Sequence, residues 1–570
     1  VTRGDEIERA EQRLADGDAA EAYRLVGAVL EADPRDPRAL YLAGRIDRLA
    51  GRFETAAERL ERAADLAPEH VETHLELAAL YRGARDFERC EDELSLALAY
   101  RPDSAEAYYE LSQVRRAQGK REAACDDLRR AIEIDPRHTS ALTDLGWLYA
   151  HLGRYKDALE MLERVIALDP RNVTAQNILG YTYVKLEEYD RALEVFSELC
   201  ATAPRSLLGA RINLGNAYDH AGRFDEAERV YEDVLRFEPN NFLARWNRAH
   251  LVLGRQDFEH GWQDYEYRLQ VEASWKPRLI PYAPWKGEPL EGKSLLISAE
   301  QGLGDQIMFA SCLGEVASRA ARVVLECDNR LEALFRRSFP QVEVIGSKHE
   351  AVPPWLRRVG RTDYHLPAGS LPGLLRRRLA DFPAHRGYLR ADPDKVRRWR
   401  ERVDALGPGL KVGISWRGGT SVTRRLFRTM ALADLAPLLG LAGCRFVSLQ
   451  YGDCVAELER ARADCGVAIA HWDEAIRDYE ETAALCGALD VTVSVCTSVI
   501  HLNGALGRPV LVMVPVSAEW RYGHRGETMP WYPSVRLIRQ VERGEWSPVI
   551  ESVAQALCGL AVTASVSPKT

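Results

Sequence analysis

Two loops in the second half of the chain carry the side chains best suited to chemistry. The first lies in SLLISAEQGLGDQIMFASCL (residues 294–313) and sets two carboxylates, Glu300 and Asp305, around Gly302 and Gly304. The second is RGGTSVTRRLFRTM (417–430), with Arg417, Arg424, Arg425 and Arg428. Guanidinium groups grip phosphate oxygens in pairs, so the arginine loop suits a phosphate-bearing ligand, Arg424 and Arg425 foremost. The plain alternative is a solvated basic loop. Thr497 and Ser498 open a helix after the run VTVSV, and exposed amides and hydroxyls at a helix start also suit a phosphate. The plain reading of 294–313 is a buried strand, a tight turn and a helix opening at Asp305, whose carboxylate serves as N-cap. The glycines would let the backbone turn sharply and come close to a ligand.

These loops need a frame, and the surrounding pattern supplies one. After Asp305 the chain alternates between helical periodicity and apolar runs: RVVLECD (322–328), VEVIGS (342–347), KVGISW (411–416), RFVSLQYG (445–452), VAIAHW (467–472), VTVSV (491–495) and PVLVMVP (509–515). That is a parallel-sheet pattern with helical crossovers. It predicts two doubly wound lobes, 294–400 and 401–560, with a less regular insert at 351–389 and a disordered tail at 561–570. Arg376, Arg377 and Arg378 read as a solvated helix face. Ligands of open α/β sheets bind beyond the carboxyl ends of the strands. Two such lobes suit a nucleotide-linked donor in one and an acceptor in the other.

The first half repeats. Pro34, Pro68, Pro102, Pro136, Pro170 and Pro204 are spaced by 34 (68 − 34, 102 − 68 and so on), and Pro239 follows after 35. A small residue keeps one phase: Ala10, Gly44, Ala78, Ser112, Gly146, Gly180, Gly215, Ala249. Small residues let two helices approach and proline ends the second of them. The pattern resembles the tetratricopeptide repeat. It predicts a helical array over 1–270, seven repeats and a degenerate cap, then an ordered, proline-rich linker at 271–293. Two residues before the small position stand Glu76, Glu110, Asp144, Asn213 and Asn247. They read either as a solvated helix face or as a polar ladder holding an extended polypeptide.

Composition narrows the function further. With 570 residues and a formal net charge of -9, the chain is multidomain and unlike a general nucleic-acid binder. No apolar run approaches the roughly 20 residues of a membrane helix. The opening VTRGDEIERA does not read as a secretory signal. The 11 cysteines include no Cys-x-x-Cys pair, which predicts reduced thiols and a cytoplasmic setting.

EQGLGDQIMF, GISWRGG, FVSLQYG and SVCTSVIHLNGALGRPV, with 519–540 in support, resemble the two-lobed (GT-B) glycosyltransferases of family 9, the heptosyltransferase-like group. Joined to the repeats, the whole is similar to bacterial transferases that glycosylate proteins, flagellin among them. The resemblance implies an α + α/β fold, a repeat solenoid followed by a two-lobed transferase domain. It also implies roles: Asp305 as general base, with Glu300 in reserve; Gly302, Gly304, the arginine loop, Thr497, Ser498 and His501 at the donor. Gln450, at its strand end, can reach the nucleotide base. His501 is alternatively a half-buried core residue. Many family members carry Asp where this chain has Cys496, which weakens the case for a heptose donor and leaves a different sugar or a weakened enzyme open. No Asp-x-Asp metal motif stands in this half, so a metal-independent transfer with arginines stabilising the leaving group is expected, and no cofactor beyond the nucleotide-sugar substrate. The leading expectation is an inverting transferase acting on a protein held by the repeats. A cell-surface glycan as acceptor and a catalytically inactive repeat scaffold are the alternatives. Sugar, nucleotide and oligomeric state stay open.

Overall fold

The computed structural model describes residues 3–271, 280–348, 354–419 and 428–566. It consists of two compact units, Val1–Leu214 and Gly215–Thr570. In the first unit a 13-residue helix is followed by a 14-residue one in each repeat, as in Pro37–Leu49 and Phe53–Leu66. The small residue of the first helix faces the second. A Cβ at Gly44 would lie 2.7 Å from Leu60 Cγ, and one at Gly146 would lie 2.8 Å from Leu162 Cγ. Asp36, Ser104 and Asn172 cap first helices by accepting from the amide three residues on. Each helix pair turns through a left-handed residue: Gly17, Gly51, Arg85, Gly119, Gly153, Glu187, and in the second unit Gly222 and Gln256. These positions keep the same 34-residue step as the prolines. Glycine there removes the steric cost of positive φ.

The second unit begins with the remaining repeat helices, among them Phe242–Gly254 and Phe258–Tyr265, and a 3-10 turn at Glu266–Gln270. Two sheets follow. One holds β1 (Ala283–Pro284), β2 (Ser294–Ser298), β3 (Arg322–Asp328), β4 (Glu343–Ser347) and β5 (Tyr364–Pro367), all parallel, in the order β1-β5-β2-β3-β4. The other holds β6 (Leu410–Ser415), β7 (Cys444–Ser448), β8 (Val491–Val495), β9 (Val510–Val514), β10 (Thr528–Met529) and β11 (Tyr532–Arg539), in the order β10-β11-β9-β8-β6-β7. Only β10 runs antiparallel to its neighbour. Every residue of β8 and β9 is buried, the signature of parallel strands covered on both faces.

Several expectations are corrected. The repeat helices run on past the first compact unit, which ends at Leu214, and the last of them pack onto the sheets. Phe224 stacks on His524 at 3.8 Å between ring centroids, the His524 amide donates to the Gly254 carbonyl at 2.8 Å, and Trp262 Nε1 donates to the Arg376 carbonyl at 2.9 Å. VAIAHW is no strand; it contributes a single bridge, Val447 to Ala470. The insert at 351–389 contains β5, too short to show periodicity. The tail is helical through Val566, since helix Ser547–Val566 buries Val549, Ile550, Val553 and Leu557 against the second sheet. The arginine run follows a helix that ends at Leu375, and it is solvated at Arg377 and Arg378 but not at Arg376. Arg376 is buried on Glu315 (2.8 Å), while Arg377 and Arg378 pair with Glu259 and Asp381. In the linker, β1 pairs with β5 and Trp285 is buried; residues 272–279 lie outside the described residues. Among the described residues no helix is long and apolar enough to cross a membrane.

Candidate functional site

Each sheet reverses its strand order beside one of the two loops. β2 has β3 on one side and β5 on the other, and the loop 299–302 leaves its carboxyl end. β6 has β7 on one side and β8 on the other, and the arginine loop leaves its carboxyl end. Such switch points are where open α/β sheets form ligand crevices.

Helix Leu303–Phe309 starts two residues before Asp305. Gly302 is its N-cap, and Asp305, the third residue, reaches back to accept from the Gly302 amide at 3.3 Å. This corrects the expectation that Asp305 itself is the N-cap. Its second oxygen accepts from Arg521 Nη2 at 2.5 Å, so a carboxylate of the first sheet's lobe is paired with a guanidinium of the second's. Burial works against the Arg521 charge. Asp305 and Glu519 more than offset it, and its pKa stands above the usual value. Gly304 is required by helix packing. A Cβ there would lie 2.8 Å from His501 Cδ2, where helix Leu303–Phe309 meets helix Ser498–Ala505. Gly302, at φ -84°, has an ordinary backbone.

Glu300 is committed to structural contacts and not free to act as a reserve base. It is buried, its two oxygens are gripped by Arg268 at 2.9 and 2.7 Å, and it also accepts from the Gly369 amide at 2.5 Å. Gln450 is likewise consumed. Its oxygen takes the amides of Trp416 (3.0 Å) and Arg417 (2.9 Å), and its nitrogen donates to the carbonyls of Arg417 and Tyr451. It fixes the loop after β6 and has no group left for a nucleotide base. His501 is the core histidine of the two readings. Its ring nitrogens lie 3.1 Å from the Tyr532 hydroxyl and 3.4 Å from that of Tyr522. Burial, with Arg521 and Arg428 nearby, holds its pKa well below the ordinary value.

The arginine loop divides. Arg417 turns away, donating to the Asp453 carbonyl and facing Glu457 at 3.3 Å. Arg424 and Arg425 lie outside the described residues. Arg428 pairs with Glu519 at 2.7 Å. Gly418 is wedged in: a Cβ there would lie 2.8 Å from the Cys496 carbonyl oxygen and 2.9 Å from Thr497 Cγ2. Thr497 caps helix Ser498–Ala505 in position, though its hydroxyl lies 3.1 Å from that of Ser494. Cys496 is buried, and burial followed by the Glu519 charge pushes its thiol far up, so it is inert. The structure thus gathers Asp305, Arg521, Glu519, Arg428, Gly418, Thr497 and Ser498, and leaves Glu300, Gln450 and Arg417 to hold loops. Sequence reading missed Glu519 and Arg521. The signal was present in EWR, inside a stretch already matched to the transferase family but assigned no role.

On the repeats, the ladder is already paired. In the first unit Arg48 meets Glu76 (2.6 Å), Arg82 meets Glu110 (3.0 Å) and Arg116 meets Asp144 (3.4 Å). Each arginine stands 28 residues before its acid (76 − 48, 110 − 82, 144 − 116), on the first helix of the preceding repeat. Asn213 donates to Asn177 at 2.9 Å. In the second unit Asn247 donates to Asn216 at 2.9 Å. The acids therefore stitch neighbouring repeats together. Any chain bound there must exchange with these contacts.

Opposite responses to acid are expected of the two units. In the first, hydrogen bonds donated to Glu93 and Glu106 raise His74 and His138, and burial pushes Asp127 up to about 6. Groups raised in the fold give stability that is full below their unfolded pKa and lost as pH rises through the folded one. In the second unit burial lowers His385, His501 and His524, the last to about 3. Their stability is full above about 6.5 and is lost as pH falls, by up to about 1.4 kcal/mol per pH unit for each. Between pH ~7.5 and ~5.5 the first unit should gain stability and the second lose it. Of 12 tryptophans only Trp147 is in the first unit, so tryptophan fluorescence follows the second and far-ultraviolet dichroism the helical first. Parallel shifts of both melting transitions across this range would contradict the assignment.

Comparison with known proteins supports the repeats directly. Models described as tetratricopeptide repeat match residues 7–71 and 76–239. The chain is 35% identical over 330 residues to Protein FlbA of Caulobacter vibrioides (strain ATCC 19089 / CIP 103742 / CB 15), covering 55% of each chain. It thus spans about half the length of that curated relative. Among solved structures, the MamA protein aligns at 26% identity and a TM-score of 0.27, over 29% of this chain and 90% of that one. YrrB, described as a TPR protein with an unusual peptide-binding site, aligns at 22% and 0.30, over 33% and 96%. The helical repeat region of this chain is a tetratricopeptide array.

Proposed function

We propose that the second unit is an inverting, metal-independent glycosyltransferase of the GT-B, family 9-like type, using a nucleotide sugar and acting in the cytoplasm on a protein that the repeats recruit. The observation that carries this reading is the contact between the two lobes. Asp305, beyond the first sheet's switch point, pairs with Arg521 of the segment after β9 where helices Leu303–Phe309 and Ser498–Ala505 touch, and Arg428 of the arginine loop joins the same segment through Glu519. In such a transfer Asp305 takes the acceptor proton as the anomeric carbon is attacked, and the cations receive the charge of the departing nucleotide. For Asp305 to act as a base, Arg521 must let go of it. That contact also favours a second reading, a repeat scaffold whose α/β half does not catalyse.

A thermal-shift panel of nucleotides and nucleotide sugars on the full chain separates the two. A bound ligand at 100-fold its Kd stabilises by about 2.7 kcal/mol. A saturable upward shift with one nucleotide series supports the transferase. No shift with any of them favours the scaffold.

A further inference from the structure

Four consecutive residues between β2 and helix Leu303–Phe309 are each held by a different partner. The Ala299 amide donates to Glu326 at 2.7 Å, Glu300 sits in the grip of Arg268, Gln301 exchanges hydrogen bonds with the Tyr265 hydroxyl at 3.0 and 3.2 Å, and the Gly302 amide donates to Asp305. Gln301 is not glycine, yet its φ is 61°. A side chain in that region is strained, and persists there only where the surroundings over-determine it. Two of the four holds come from the last repeat. Tyr265 ends helix Phe258–Tyr265 and Arg268 lies in the turn Glu266–Gln270. Both are buried. Arg268 is further fixed by Glu266 at 2.9 Å and by Ser370 at 2.8 Å.

We infer that the terminal repeat is a brace for the loop that delivers Asp305, with Tyr265 and Arg268 as positioning residues; its bearing on catalysis rests on the transferase reading above. The repeat array therefore ends inside the candidate site's own scaffold. Movement of the last repeat passes to Asp305 through two buried side chains.

Hydrogen exchange on the full chain, without ligand, tests this. Tyr265→Phe removes only the hydroxyl and keeps the ring among Trp246, Trp262 and Trp520. It should speed exchange of the Ala299 and Gly302 amides by about fivefold, the worth of one hydrogen bond, and leave β3 and helix Phe242–Gly254 unchanged. Adding Gln301→Gly should return exchange to within about twofold of the parent, because glycine holds a left-handed φ without help. Parent-like exchange in Tyr265→Phe, equal acceleration in β3, or no recovery with Gln301→Gly would each overturn the brace. A parent that shifts with no nucleotide would sink the transferase reading and leave the exchange result standing.

Discussion

Arg268→Met is expected to destabilise the second unit by about 3–5 kcal/mol, read from the tryptophan fluorescence transition in urea. The guanidinium and the Glu300 carboxylate are both nearly free of solvent, at 2% and 1% side-chain exposure. Burial opposes the Arg268 charge, and Glu300 and Glu266 outweigh that cost, which lifts its pKa far above the ordinary value. Methionine fills the space but leaves a carboxylate buried without its cation. The double variant Arg268→Met with Glu300→Met should lose less than Arg268→Met alone, because no charge is stranded. It should not recover fully, since the Gly369 amide keeps no acceptor and an orphaned buried donor costs about 1–3 kcal/mol. Simple addition of the two single losses would show that the pair is not coupled.

Asp305→Asn should lower transfer by at least about 100-fold while leaving nucleotide affinity within about twofold. Asparagine keeps an oxygen for the Gly302 amide and so preserves the start of helix Leu303–Phe309. It removes the only charge the position offers to an acceptor proton. Arg521 retains Glu519 as a charged neighbour, so the fold should survive. The readout is initial transfer rate at saturating donor, beside calorimetric affinity for the nucleotide. Undiminished turnover would confine Asp305 to capping the helix and joining the lobes. Glu300 is no substitute, being committed to Arg268.

What was legible in the sequence was what is local. The 34-residue step sets the helix pairs, and β3 and β8 stand at the bounds their apolar runs predict. Short or amphipathic pieces were not legible: β5 has four residues, β11 alternates with exposed positions, and VAIAHW is apolar without pairing along its length. At the candidate site, sequence reading found both loops, and the sheets put both at switch points. It could not assign the side chains within them. Glu300 and Gln450 look like ligand groups until their partners are known, and those partners lie 32 and 33–34 residues away in the chain. Gly304 looks like a turn glycine until His501 is set against it, which depends on how two helices almost 200 residues apart come to pack.

The most direct test of a nucleotide-sugar site in the second unit is calorimetric titration of the full chain with UDP, GDP, CDP, ADP and dTDP, repeated on the Arg424→Ala, Arg425→Ala double variant. Charge-assisted hydrogen bonds to phosphate are each worth about 1.5–3 kcal/mol. Expected is saturable binding of one nucleotide by the parent and at least about tenfold weaker binding by the variant. A parent that binds none of the five would contradict the transferase assignment.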